Sequence, residues 1–572
     1  MKKPSSLLVL VFLILTPNVF LVLQRPVTAR PLYTDSRWVV DGSGQRVKLA
    51  CVNWASHLEP MVAEGLSKQP LDVISKQIIS MGFNCVRLTW SLFMVTNDSF
   101  ASLTIRQSFQ KLGLLDSISG IKLNNPSLLD LPLIQAYQVV VSNLADNNVM
   151  VILDNHISEP GWCCSNSDDN GFFGDRYFDP DLWIKGLTTI ATIFNGTNKV
   201  VGMSLRNELR GPKQNAEDWY RYMQKAAEAV HTANPDVLVI LSGLSYDKDL
   251  TFLSKQPVNL SFKGKLVFEV HWYAFSDGEA WVRGNPNQVC ASVVDNLMRN
   301  AGFLQKQGWP LFVSEFGVDQ RGTNVNDNRY LNCFIGVAAE LDWDWALWTL
   351  VGSYYLRQGV VGMEETYGML DSGWTSIRNS NFLQRLSTLQ IPLQGLGVSN
   401  LKPYKIILHT LTGLCVHRNP ITKSLSLGSC AESEAWDYTP EKILMVKGTY
   451  DCLQADGVGK PAKLGSLCTD TNSKWEPISE SKMHFSTKLS NGRTVCLDVD
   501  SNNAFLTNPC KCLSGDHLCD PGSQWFKIVN STRIRSQPQP DYVFQVRRTK
   551  FNWRSVMKLK LRKEGAVNED MS

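Results

Sequence analysis

The chain is predicted to be an α/β protein, a (β/α)8 barrel followed by a smaller all-β domain. Three observations predict it. From about residue 47 to 350, short β-branched runs alternate with longer amphipathic segments, as parallel strands joined by crossover helices do. Eight such runs can be counted, the number that closes a barrel. Beyond about Leu396 the helical periodicity stops, and short runs punctuated by glycine, asparagine and cysteine replace it.

In chain order the strand candidates are VKLACVNW ending near Trp54, FNCVRLTW through Arg87, VMVILDNH to His156, VVGMSLRNE to Glu208, DVLVILSG to Gly243, KLVFEVHWY to Tyr273, WPLFVSEFG to Gly317 and WDWALWTL through Trp348. Between them, LIQAYQVVVSNLAD and EDWYRYMQKAAEAVHTAN carry apolar residues three and four apart, the stripe a helix needs to cover a barrel wall. Ahead of the first strand, WVVDGSGQRVKL reads as a hairpin with Asp41-Gly42 as its turn signal, placed to plug the N-terminal mouth.

Length and composition bound the rest. At 572 residues, 44% hydrophobic and 19% charged, the chain is too long for one ordinary core and too apolar for disorder. A net charge of +4 over 57 basic and 53 acidic residues calls for neither nucleic acid nor an anionic membrane, and allows a neutral polymer as partner. Lys2 and Lys3, an apolar stretch from Leu7 to Leu23 and the small-residue site Val27-Thr28-Ala29 read as a secretory signal cleaved after Ala29, with an uncleaved anchor as the alternative. In a secreted protein, fourteen cysteines favour disulfides, and Asn97, Asn195, Asn259 and Asn530 begin glycosylation sequons. The expected organisation is a signal over 1–29, a catalytic barrel over 30–395, an all-β domain over 400–532 and a basic tail over 533–572.

The all-β region repeats internally. TGLCVH at Cys415, YDCLQA at Cys452 and RTVCLDV at Cys496 start 37 and 44 residues apart. Each precedes a second cysteine (Cys430, Cys468, and Cys510 or Cys512) and then a tryptophan (Trp436, Trp475, Trp525). From about Lys402 to Val529 the region resembles the ricin-B-type lectin, a β-trefoil. The resemblance implies a disulfide loop in each lobe, drawing on Cys415, Cys430, Cys452, Cys468, Cys496 and Cys510. Its sugar-binding pattern carries over poorly: of the aspartates expected two positions after the first cysteine only Asp498 is present, and the glutamine position holds Glu434, Ser473 or Ser523. A zinc site drawn on Cys510, Cys512, Cys519 and His517 is less favoured than disulfides.

Two glutamates close matching apolar runs, Glu208 in RNE and Glu315 in SEFG, 107 residues apart (315 − 208). Acetal cleavage needs one carboxyl to protonate the leaving oxygen and another to attack the oxocarbenium-like centre, and a parallel barrel gathers strand ends at one face. Taken singly, each residue has a plain structural reading as ion-pair partner, buried histidine or core aromatic. Together Arg87, His156, Asn207, Glu208, His271, Tyr273, Glu315 and Trp348, in the contexts VRLTW, LDNH, RNE, HWY, SEFG and ALW, resemble glycoside hydrolase family five, a TIM-barrel family, over roughly Arg37 to Leu389. That resemblance implies Glu315 as nucleophile, Glu208 as acid/base, Asn207 on the sugar 2-hydroxyl, His156 and His271 on substrate and acid/base, Trp348 as a platform, and no cofactor or metal.

Two loops are expected to shape the cleft with exposed side chains: VNWASHLEP with Trp54, His57 and Glu59, and SEPGWCCSNSDDNGFFGD with Trp162, Phe172 and Phe173. Cys163 and Cys164 either bridge each other or bond elsewhere, and Cys51 and Cys85 read as buried thiols. The expectation is a secreted, monomeric, retaining glycosidase, extracellular or in a cell wall, acting on cellulose-type or mixed-linkage β-glucan or β-mannan. The rivals are a transglycosylase on the same substrates and a catalytically silent carbohydrate-binding protein.

Overall fold

The computed structural model describes residues 31–396 and 403–533. The expected signal (1–29) and all but Arg533 of the expected tail lie outside the described residues. Tyr33–Asp35 (β1) pairs antiparallel with Trp38–Val40 (β2), and the expected turn at Asp41-Gly42 follows, with the Asp41 N–H on the Gln45 carbonyl and the Val47 N–H on the Val39 carbonyl, 2.9 Å each. Arg46 then bridges back to Val40. Val39 and Leu32 pack among Cys51, Ile152, Val201, Leu238 and Phe312 from the strand starts, which closes the N-terminal mouth.

The next eight strands form the closed parallel barrel: Ala50–Trp54 (β3), Cys85–Ser91 (β4), Met150–Ile157 (β5), Val200–Ser204 (β6), Leu238–Leu241 (β7), Leu266–His271 (β8), Leu311–Phe316 (β9) and Asp344–Leu347 (β10), with β10 hydrogen-bonded to β3. Their near-continuous apolar sequence suits strands buried on both faces, inward against each other and outward against helices. Helix Leu133–Asp146 buries Leu133, Ala136, Tyr137, Val140, Val141 and Leu144, the stripe its sequence spacing predicts. Helix Ala216–Ala233 does the same with Trp219, Met223, Ala226, Ala227 and Val230, and starts under an Asn215 cap on the Asp218 N–H.

The chain from Tyr404 onward is all β. Its first strand, Tyr404–His409, pairs with both Leu414–Arg418 and the last strand, Phe526–Ser531, so the region's two ends adjoin. Trp436, Trp475 and Trp525 are fully buried. The region is fastened to the barrel by polar contacts as well as by apolar packing. Asn287 donates to the Cys512 carbonyl (3.0 Å) and accepts from the Trp525 indole (2.9 Å) and the Ser481 hydroxyl (2.7 Å). Ile406, Leu408, Trp525 and Val529 share one buried cluster with the barrel's helices.

All fourteen cysteines are paired. Cys415–Cys430, Cys452–Cys468 and Cys496–Cys510 close the three repeat loops, and Cys512–Cys519 forms a fourth bridge where a zinc site could have been drawn. Cys290–Cys333 ties two barrel helices, and Cys163 is bonded to Cys164. Cys51 and Cys85, expected as thiols, are also bonded. The parallel register sets them directly opposite each other on β3 and β4, with Cα atoms 4.2 Å apart. Asp498, the one lectin candidate, is buried. It is 2% exposed, and one carboxylate oxygen accepts from Gln524 and Asn508 at 3.0 Å each, with Lys511 at 3.5 Å.

Candidate active site

The C-terminal ends of the strands gather the predicted residues around Arg87, which lies inside the barrel on β4 and is fully buried. One guanidinium nitrogen donates to Glu315 Oε1 (2.9 Å) and Asn53 Oδ1 (3.0 Å). The other donates to Asp154 (2.9 Å) and Asn207 (3.0 Å), with Glu269 at 3.7 Å. Burial alone would discourage the charge, but Asp154, Glu269 and Glu315 outweigh it and hold the guanidinium protonated. Asp154 and Glu269 went unnoticed in the sequence. Each stands two residues before a predicted histidine, His156 and His271, and strand alternation puts both members of such a pair on the inner face.

Glu315, near the end of β9, is held at both oxygens: Arg87 donates to Oε1 and the Tyr273 hydroxyl to Oε2 (2.9 Å). Glu208 follows β6 in a left-handed conformation (φ 44°), and its Oε1 meets His271 Nδ1 at 2.9 Å. One oxygen from each glutamate and a ring nitrogen of His271 all lie within 4.8 Å of one another. Burial pushes Glu208 up to about 7, against the pull of Arg210 and Arg87. Burial raises Glu315 as well, opposed by His271 and Arg87. Glu208 is the more open of the two, with 16% of its side chain exposed against 7% for Glu315.

His156 contacts Asp154 through Nδ1 (2.6 Å) and stacks on Trp348, centroids 5.5 Å apart. Trp162 meets the edge of Trp348 at 6.3 Å, while the Arg357 guanidinium covers one Trp162 face at 3.4 Å. Asn207 lies between Arg87 and the Cys163–Cys164 bridge, its amide nitrogen 3.7 and 3.6 Å from the two sulfurs. Arg210 clamps the bridge's loop to the acidic residue by donating to the carbonyls of Ser165 (3.0 Å) and Glu208 (2.8 Å).

Several expected cleft residues are not at the surface. Trp54 is buried, with its indole donating to the Glu64 carbonyl (2.9 Å) and its ring beside Trp374, because β3 turns it outward beneath the following loop. His57 is buried behind His156 at 4.0 Å between ring centroids and bonds Thr89 (2.8 Å), so it backs the site instead of lining it. Phe172 and Phe173 are also buried, packed on each other, with Phe173 against Trp183. Of the expected aromatics in these two loops, only Trp162 is part-exposed. Asp247, after β7, was missed. It is fully buried and accepts the Glu208 N–H (3.2 Å), but it sits in an irregular turn with no periodic signal.

Two carboxylates converging at the C-terminal face of a parallel barrel, one held by an arginine and the other by a histidine, define an O-glycosyl hydrolase. Residues 40–353 match the family model for cellulase (glycosyl hydrolase family 5), and the chain belongs to that family. It is 44% identical over 539 residues to a glycosyl hydrolase 5 family protein of Chamaecyparis obtusa, covering 91% of this chain and 96% of the relative. It is 25% identical over 367 residues to an endoglucanase of Paenibacillus polymyxa, covering 60% of this chain and 83% of the relative. Among solved structures, a cellulase–inhibitor complex shares the fold (TM-score 0.52, 20% identity, 64% of this chain and 99% of the other). So does a hyperthermophilic endocellulase from the archaeon Pyrococcus horikoshii (TM-score 0.50, 21% identity, 64% and 99%).

Proposed function

We propose that the protein is a retaining glycosidase that cleaves β-linked neutral glycans, of the cellulose or mixed-linkage glucan type or β-mannan, by double displacement. The observation that carries this is the approach of Glu208 and Glu315 oxygens within 4.8 Å. That approach suits the roughly 5–5.5 Å carboxyl separation of retaining enzymes, whose nucleophile attacks the sugar directly, better than the roughly 6.5–9.5 Å by which inverting enzymes leave room for a water. Glu315, bonded by Arg87 and Tyr273, is the nucleophile. Glu208, whose Oε1 meets the His271 imidazole and no arginine, first protonates the leaving oxygen and then activates water. Asn207 faces the 2-hydroxyl, and Trp348 with Trp162 forms the apolar surface under the sugar. The names of the relatives, endoglucanase among them, favour a glucan.

Around this chemistry, residues 30–395 form the catalytic domain, and the following region is a β-trefoil. Three disulfide loops with three buried tryptophans support the trefoil reading. Asp498, sealed by Gln524 and Asn508, argues for a domain that braces the barrel more than it binds sugar. Seven disulfides suit secretion into an oxidising compartment. No helix among the described residues is long and apolar enough to cross a membrane.

The test is hydrolysis of β-glucans, β-mannans and xylans by the purified protein, with fresh products followed by NMR. The expected outcome is release of the β-anomer before mutarotation. Initial α-anomer would overturn double displacement, and inactivity on every polymer would overturn the glycosidase reading. The pH profile has a fixed sign. Glu208 must carry its proton, so kcat/KM should fall as pH rises through about 7. A basic limb lying two or more units lower on the pH scale would remove Glu208 from the acid role.

A further inference from the structure

Asp247 lies at the end of three successive non-glycine residues in the left-handed region, Ser245, Tyr246 and Asp247, with φ of 55°, 61° and 57°. L-residues enter this region reluctantly, and a run of them persists only where the surroundings dictate it. Here the surroundings are the acid/base loop. The Tyr246 N–H donates to the Leu209 carbonyl (3.0 Å), and the Ser245 N–H to Gln214 (2.7 Å). The run turns the Asp247 carboxyl inward, where Oδ2 accepts the Glu208 N–H (3.2 Å) and lies 3.4 Å from His271 Nε2. On its other side the same imidazole reaches Glu208 Oε1 through Nδ1.

We propose that Asp247 is a positioning residue for the acid/base: its carboxylic O–H, directed at His271 Nε2, fixes the Nδ1–H tautomer, and the Nδ1–H then holds Glu208 Oε1 so that Oε2 carries the proton to the leaving oxygen. The inference rests on the reading of Glu208 as acid/base. Four observations support it. His271 is buried and its pKa lowered, so the ring is neutral and has one N–H to place. Nε2 has no conventional partner among the described residues, and Asp247 Oδ2 is the acidic oxygen beside it. Asp247 Oδ1 is buried without a partner, a setting that suits a neutral acid and not a carboxylate. Facing Asp247 are Glu269, Glu208, Arg87 and His271, and burial, with the charge of Glu269, raises its pKa. Facing Glu208 are Arg210, Arg87, Lys248, Asp154, His271 and Glu315.

A carboxylic oxygen can accept from one N–H and donate to another ring nitrogen at once, whereas neither polar atom of an asparagine amide does both. Asp247→Asn therefore has to give up either the Glu208 N–H or Nε2. Losing Nε2 frees the imidazole to turn its lone pair toward Glu208, which raises the Glu208 pKa and misaims its proton. With phenyl β-cellobioside, whose leaving group needs protonation, D247N should lose roughly 10- to 100-fold in kcat/KM, part of the roughly 10^2- to 10^4-fold that general acid catalysis contributes as a whole. With dinitrophenyl β-cellobioside, whose leaving group does not, it should lose less than about threefold, and the basic limb should move up by about one pH unit. Equal losses on both substrates with an unmoved limb would reduce Asp247 to a structural carboxyl and overturn the proposal. If D247N does not fold, ring 15N shifts of histidine-labelled wild-type protein decide, with His271 assigned against H271Q. Nδ1–H is expected, and Nε2–H overturns the proposal. Glu208→Gln separates the two levels. If it spares phenyl cellobioside hydrolysis, the acid/base reading itself falls, and if it abolishes that activity while D247N changes nothing, only the role of Asp247 does.

Discussion

Glu315→Ala is expected to lower kcat/KM on the preferred glycan by on the order of 10^4-fold or more, about 5 kcal/mol of transition-state stabilisation at 1.36 kcal/mol per decade. The size follows from what the side chain supplies. Its Oε1 and Oε2 are already fixed by Arg87 and Tyr273 at 2.9 Å each, so the attacking oxygen needs no reorganisation when the glycosyl centre arrives. Alanine leaves a space the size of a small anion beside an intact guanidinium. Added azide should therefore restore turnover of an activated aryl glycoside and give the α-glycosyl azide, because it attacks from the face Glu315 occupied. Glu208→Ala should respond differently. There the glycosyl-enzyme still forms from an activated substrate, azide replaces water in the second step, and the product is the β-azide. Product stereochemistry read by NMR assigns the two roles independently of rate. A β-azide from the Glu315 variant would exchange them, and unchanged hydrolysis by that variant would remove Glu315 from the reaction.

Much of this was legible in the sequence because barrel strands advertise themselves. Buried parallel strands are apolar runs of four to eight residues, and all eight runs formed strands in order. Residues at strand ends were then placed at one face by topology, which is why Arg87, Asn207, Glu208, His271, Tyr273 and Glu315 converge although they span more than two hundred positions. Loops were another matter. Trp54, His57, Phe172 and Phe173 were expected at the surface because apolar residues at a barrel mouth suit sugar stacking, but the same residues suit covering the mouth, and that is where the fold put them. Periodicity cannot distinguish those uses. Cys51 and Cys85 were misread because disulfide formation depends on register between neighbouring strands, and register is not visible in either strand alone. Asp247 gave no signal, since its orientation comes from three consecutive left-handed residues in an irregular turn. Glu269 and Asp154 could have been found, because inward alternation from His271 and His156 points to them.

Arg87→Met should be the most destabilising single change in the site, and its effect should depend on pH with a definite sign. The guanidinium is fully buried and neutralises Asp154 and Glu315 by direct bonds, with Glu269 at 3.7 Å. Methionine fills much of the volume but leaves these carboxylates facing one another without their cation. Removing one partner of a buried ionic group costs roughly 3–5 kcal/mol, a fall in Tm of about 4–6 °C for a domain of this size. The carboxylates can escape part of that cost by binding protons. Their folded-state pKa values rise further above the unfolded values in the variant, so its stability is best preserved below the carboxylate range and is lost as pH rises. Thermal unfolding at acidic and at neutral pH should therefore show a gap between wild type and variant that widens toward neutrality. Lysine should rescue little, because an ammonium is a point charge that cannot span the four oxygens the planar guanidinium bonds. Activity should fail for a linked reason: without Arg87, Glu315 takes up a proton and cannot attack, so the acid limb of kcat/KM should move to higher pH. A stability gap that is constant with pH, together with an unmoved acid limb, would mean that the carboxylates are neutral already and that the arginine serves packing alone.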